Sequence, residues 1–178
     1  MPDFEKLPVF DDSGELNVII ETPQGSRNKF KFAGRLGIFK LARVLPAGAV
    51  FPFDFGFVPS TRAQDGDPID LLLLMDEPVA MGCLVASRLI GVIEAEQSED
   101  GKTERNDRLI GVASLSRNQR DIQSLAGLSA SLIEEIEHFF VSYNEVGGKS
   151  FRVLGRAGPD RARALVEDAA RQFRTQRS

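Results

Sequence analysis

The sequence predicts an α+β domain, mainly β, in which a small antiparallel barrel is followed by helices. Three observations lead there. Short strand-like runs fill most of the chain, helical periodicity is confined to its last third, and 178 residues, 42% of them hydrophobic, suit one sizeable core. No repeat, low-complexity tract or long linker interrupts the chain, so residues 1–178 are expected to form one domain.

The strands are expected in order. Residues 16–21 are rich in β-branched side chains and stop before Pro23. Residues 29–32, Lys-Phe-Lys-Phe, alternate with period two, as a half-buried strand should. Residues 37–44 open at a glycine and end before Pro46, while 69–75 form a continuous apolar run suited to burial on both faces. Residues 84–94 and 109–113 flank a polar segment and are expected to pair as a long hairpin, and 151–154 make a short late strand. For the first helix, Ser131 with Glu134 fits a capping box, and Leu132, Ile133, Ile136, Phe139, Phe140 and Tyr143 recur at three-to-four spacing until Gly147 and Gly148. A second helix is expected from Pro159 towards Phe173, an extension over about 159–175.

Composition narrows the function. A net charge of −4 and a pI of about 5.2 argue against nucleic acid, whose phosphates require a basic surplus. A lone cysteine, Cys83 in an apolar stretch, excludes an internal disulfide and is expected to be a buried small hydrophobe. No basic-then-apolar leader and no apolar run of about 20 residues is evident, so a cytoplasmic protein with no membrane partner is expected. His138 stands beside Phe139 and Phe140 and reads as structural.

The densest chemistry is Asp65-Gly66-Asp67-Pro68-Ile69-Asp70. Three carboxylates within six residues repel one another, and a hard divalent cation, magnesium, manganese or calcium, would relieve that repulsion. Read alone, the hexapeptide is equally an ordinary acidic turn before a strand. An EF-hand is excluded, because Leu and Met stand where further oxygen ligands and a closing Glu would be needed.

Neighbouring segments settle the choice. Asp65-Gly-Asp-Pro-Ile-Asp70-Leu resembles the signature of the family I soluble inorganic pyrophosphatases. Val18-Ile-Ile-Glu21-Thr-Pro23, Asn28-Lys29-Phe30, Arg43, Phe51-Pro-Phe-Asp-Phe-Gly-Phe57 and the helix ending at Tyr143 resemble further segments of that family, over about residues 15–155. The resemblance implies a five-stranded barrel of the oligonucleotide-binding (OB) type with flanking helices, and typically a hexamer. It implies magnesium-dependent hydrolysis of pyrophosphate, with manganese as a substitute ion. Asp65, Asp70 and acids of the 97–107 segment, for which Asp100 and Asp107 are the candidates, would hold metal. Asp67 would be the general base for a water between metals, and Glu21 would sit at a metal or a bound water. Lys29, Arg43, Tyr143 and Arg108 would bind phosphate.

The chain also departs from the pattern. Phe51 and Phe55 replace tyrosines, Lys31 replaces a glutamate, and Asn144 replaces a lysine. Residues 97–108 are expected to form a longer loop than the family's short turn, and counting back from Leu109, Asn106 rather than Asp107 takes an acid's slot. These changes motivate two alternatives: the same fold acting on another short polyphosphate or phosphoanhydride, or a non-catalytic binding module.

Overall fold

The computed structural model describes residues 4–175. Its strands are β1 (Leu16–Thr22), β2 (Asn28–Ala33), β3 (Ile38–Val44), β4 (Asp54–Phe57), β5 (Asp70–Leu74), β6 (Leu84–Glu99), β7 (Lys102–Arg105), β8 (Arg108–Ala113) and β9 (Ser150–Ala157). The helices are α1 (Ala130–Val146) and α2 (Pro159–Thr175).

Five strands close on themselves in the order β1-β4-β5-β8-β6, with β6 returning to pair with β1. Within this ring only β5 and β8 run parallel. The long β6 extends past the ring, where β7 and β9 add to it, and β2 and β3 form a separate hairpin. The expected five-stranded barrel with helices outside is therefore what forms.

Closure leaves apolar side chains on two sides. One cluster joins Leu72, Leu74, Ile93 and Ile110 to Ile136 and Phe140 of α1; another joins Leu71, Leu73, Val92 and Leu109 to Ala162 and Val166 of α2. Residues 71–74 of β5 are wholly buried because alternate side chains serve opposite clusters. The β4 strand escapes sequence reading, since Pro52 and Gly56 interrupt its pattern. Gly56 is required there: a Cβ would lie 2.2 Å from the Ile19 carbonyl oxygen of β1.

Three local expectations need correction. Helix α1 is capped by Ser129, whose side chain accepts from the Leu132 N–H at 3.2 Å, not by Ser131. Cys83 is exposed rather than buried, because it lies in the turn after Gly82, outside the barrel wall. Segment 97–108 is no long loop: β6 continues into it and turns back into β7 at Asp100-Gly101, both at positive φ. An Asp-Gly pair suits such a two-residue hairpin turn. No helix among the described residues is long and apolar enough to cross a bilayer.

Candidate active site

The β2–β3 hairpin, the acidic turn before β5, the start of β8 and the end of α1 surround an open cavity of about 680 Å³. Its residues come from distant parts of the chain, and each is placed by a local backbone device.

Glu21 sits where the β1–β4 register shifts between Ile20 and Thr22, a bulge that re-aims its side chain. Its Oε1 accepts from the Phe32 N–H at 2.7 Å and its Oε2 from Lys29 Nζ at 3.1 Å. Both side chains are more than nine-tenths buried. Burial pushes the Glu21 carboxyl up and the Lys29 ammonium down, and each partner's charge opposes the other's shift. The Lys29 ammonium also lies 3.8 Å from the centre of the Phe55 ring.

The acidic turn folds around its own backbone. Gly66, at φ +87°, donates to the Ala63 carbonyl, Ala63 N–H donates to the Asp67 carbonyl, and Asp67 N–H donates to Asp65 Oδ1 at 3.1 Å. Thr61 anchors the turn from below by accepting from the Ile69 N–H. Asp65, Asp67 and Asp70 all line the cavity. Asp67 pairs with Lys31 and Asp70 pairs with Arg108, whereas Asp65 has no ion-pair partner among the described residues. Partial burial raises the Asp65 carboxyl above its ordinary value, and the charges of Asp70 and Asp67 add to the rise. Burial works against the Lys31 ammonium, but its hydrogen bond to Asp67 and the carboxylates behind it hold it above its usual value.

Cationic side chains complete the lining. Arg43 donates from Nη1 to the Tyr143 carbonyl at 3.1 Å, and its guanidinium lies 5.0 Å from the Tyr143 ring centre. Burial pushes the Tyr143 phenol up, so it stays a hydrogen-bond donor at neutral pH. Arg108 is enclosed by the rings of Phe55, Phe140 and Phe151, and its buried Nε has no hydrogen-bond partner among the described residues.

Eight of the ten residues nominated from the sequence, Glu21, Lys29, Arg43, Asp65, Asp67, Asp70, Arg108 and Tyr143, line this one cavity. Asp100 and Asp107 do not. Asp100 is exposed at the β6–β7 turn, and the Asp107 carboxylate accepts from Ala95 N–H at 3.0 Å and Arg105 Nη2 at 2.8 Å. Asn106 lines the cavity in their place and hydrogen-bonds to Gln97 Oε1. Asn144 turns back into α1, donating to the Phe140 carbonyl at 2.7 Å. His138 is exposed on α1 and lies outside the cavity lining. Sequence reading missed Arg35, Arg62 and Lys149, which also line the cavity; nothing in their local patterns marks them.

The acid wall fits a hard divalent ion in one particular way. Its donors are all oxygen, yet among the described residues no three potential metal-ligating side chains converge into a ready-made cage. Magnesium commonly takes one or two carboxylates and fills its other positions with water and phosphate oxygens, so Asp65 and Asp70 suffice as a protein share.

Four carboxylates gathered with lysines and arginines around one open cavity beside a closed barrel define a hydrolase for a small phosphorylated anion. Residues 18–174 match the family model described as inorganic pyrophosphatase, a match that takes in all of α2 but its last residue, Thr175. The chain is 33% identical over 172 residues to the inorganic pyrophosphatase of Synechocystis sp., covering 97% of this chain and 99% of that one. The crystal structure of the Thermus thermophilus enzyme superposes with a TM-score of 0.89 at 33% identity, covering 97% of this chain and 99% of that one. An inorganic pyrophosphatase from Neisseria gonorrhoeae gives 0.87 at 30% identity, with 97% and 99% covered. This chain belongs to the inorganic pyrophosphatase family.

Proposed function

We propose that the cavity hydrolyses pyrophosphate to two phosphates, with Asp67 as the base and magnesium as the working cation. The observation that carries this reading is the meeting of Glu21, Asp65, Asp67 and Asp70 with Lys29, Arg43, Arg108 and Tyr143 around one cavity. Members of the family are metal-dependent.

Arg43, Arg108 and Tyr143 bind phosphate oxygens as charge-assisted or neutral donors, and Lys29 fixes the floor through Glu21. A divalent ion held by Asp65 and Asp70 would neutralise phosphate charge and make the attacking water more acidic. That water attacks one phosphorus, Asp67 accepts its proton, and the bond from that phosphorus to the bridging oxygen breaks. The bridging oxygen leaves with the second phosphate. The cationic donors stabilise the charge that builds on it.

Assembly into a homo-oligomer, a hexamer by family resemblance, is part of the same proposal. It is supported by the exposed apolar side chains Leu36, Ile38, Leu41 and Val44 on the β2–β3 hairpin and its turn.

The test is phosphate release from pyrophosphate, tripolyphosphate and a nucleoside triphosphate, each with magnesium, manganese or chelator. Release from pyrophosphate well above the others, abolished by chelator, is expected. Preference for a longer phosphoanhydride would transfer the same machinery to another substrate.

A further inference from the structure

Resting on the reading of this cavity as a pyrophosphate site, we infer that Phe4 is a positioning residue for the reaction. Segment 4–7 is a clasp that seats the β2–β3 hairpin, with its cationic side chains, against the strands and the turn that carry the acids.

The hairpin's light attachment is the first ground. Strands β2 and β3 form their own two-stranded sheet and share no ladder with the barrel sheet. Side chains of β1 hold β2 instead. Phe30 N–H donates to Thr22 Oγ1 at 3.0 Å and Phe32 N–H donates to Glu21 Oε1 at 2.7 Å, with the Lys29–Glu21 pair beside them. The ion pair that joins the hairpin to the acidic turn, Lys31 with Asp67, is about half exposed on both sides. A solvated pair of that kind fixes a geometry weakly.

The second ground is where segment 4–7 sits. Phe4 is 6% exposed, and its ring centre lies 4.6 Å from that of Phe32 and 6.0 Å from those of Phe39 and Phe57. It therefore packs against both hairpin strands and β4 at once, and such ring pairs add to what area burial alone contributes. Phe32, which it meets edge-on, is the residue whose N–H holds Glu21. Leu7 N–H closes the single 3-10 turn of the segment on the Phe4 carbonyl. The Leu7 carbonyl in turn accepts from Ser60 Oγ at 2.7 Å, one residue before Thr61, the anchor of the acidic turn. The clasp thus spans from hairpin to acidic turn, and Phe4 and Ser60 both line the cavity.

Hydrogen exchange on the whole protein without substrate, together with steady-state phosphate release, tests this. In Phe4→Ala the Phe30 and Phe32 amides exchange at least about tenfold faster, while the amides of β5 and β8 keep their native rates. KM for pyrophosphate rises about tenfold with kcat within about threefold, because the hairpin's binding groups move and the acidic turn does not. Phe4→Leu, which keeps apolar bulk, recovers most of both effects. Equal acceleration across β5 and β8, or a Phe4→Ala chain that no longer folds, would make Phe4 a part of the common core and overturn the inference. Native exchange at Phe30 and Phe32, or a native KM despite looser amides, would overturn it as well. No phosphate release from pyrophosphate by the native chain would overturn the pyrophosphate reading instead, with the exchange result still deciding whether the clasp seats the hairpin.

Discussion

Lys29 and Phe55 meet at the floor of the cavity, the ammonium 3.8 Å from the ring centre while it hydrogen-bonds Glu21 at 3.1 Å. A buried cation is thus held from two sides, by a carboxylate and by the face of an aromatic ring. The ring here is a phenylalanine where related chains are expected to carry tyrosine, and it still supplies the π-face that the ammonium uses.

Replacing Phe55 with Leu keeps an apolar side chain but removes that face. Stability is expected to fall by about 1–2 kcal/mol from the lost cation–π contact, beyond any packing loss. In a Lys29→Met background the extra loss should vanish. Urea unfolding of the four proteins in the cycle measures it, and an identical loss in both backgrounds would reduce Phe55 to packing.

The Glu21–Lys29 pair makes a second, sharper case. Glu21→Gln leaves a buried ammonium without its counter-charge and is expected to cost about 3–5 kcal/mol. The double variant Glu21→Gln/Lys29→Met removes that unpaired charge and should be more stable than Glu21→Gln alone. If the single variant unfolds at the native urea midpoint, the pair holds no buried charge.

Much of this arrangement was legible in the sequence, and the limits have physical causes. The acidic turn is local, so Asp65, Asp67 and Asp70 are visible as a group. The β5 strand follows as an unbroken apolar run. Strand β4 hid because the residue that its close contact with Ile19 demands, Gly56, is also a strand breaker. The choice between Asn106 and Asp107 depends on which side of the chain faces the cavity, and that is set by strand register, which sequence does not display. The Lys31–Asp67 pair joins residues 36 apart and appears only once the β2–β3 hairpin folds over the acidic turn.

Gly147 positions Arg43 by what it lacks. Its φ of −84° is open to any residue, but a Cβ there would lie 2.3 Å from Arg43 Nη1 and 2.6 Å from Cζ. The guanidinium is the far end of a flexible side chain, so Gly147→Ala should fold normally while pushing Arg43 off the Tyr143 carbonyl. The expected result is an unchanged melting temperature with KM for pyrophosphate raised about tenfold, equivalent to roughly 1.4 kcal/mol of binding. The same substitution in an Arg43→Ala background should raise KM no further.

A pH effect is expected away from the site. Asp76 accepts from Ser116 Oγ at 2.6 Å, Arg117 N–H at 2.8 Å and Asn118 N–H at 3.1 Å. The Ser116 hydrogen bond leads, with the two N–H groups, in holding its carboxyl below the ordinary 3.8. A lowered folded-state pKa gives stability that is complete above the unfolded value and lost as pH falls through the folded one. Hydrogen exchange at Arg117 and Asn118, corrected for intrinsic rates, should therefore keep its protection at pH 5 and lose it below Asp76's ordinary value of 3.8. Asp76→Asn should show weaker protection with no such acid step.

Phosphate release from pyrophosphate by Asp67→Asn, beside the native chain and with magnesium in excess, tests the central claim most directly. If Asp67 takes the proton from the attacking water, the rate falls on the order of 10²-fold or more, while imidodiphosphate still binds. A variant that releases phosphate at the native rate would contradict Asp67 as the base.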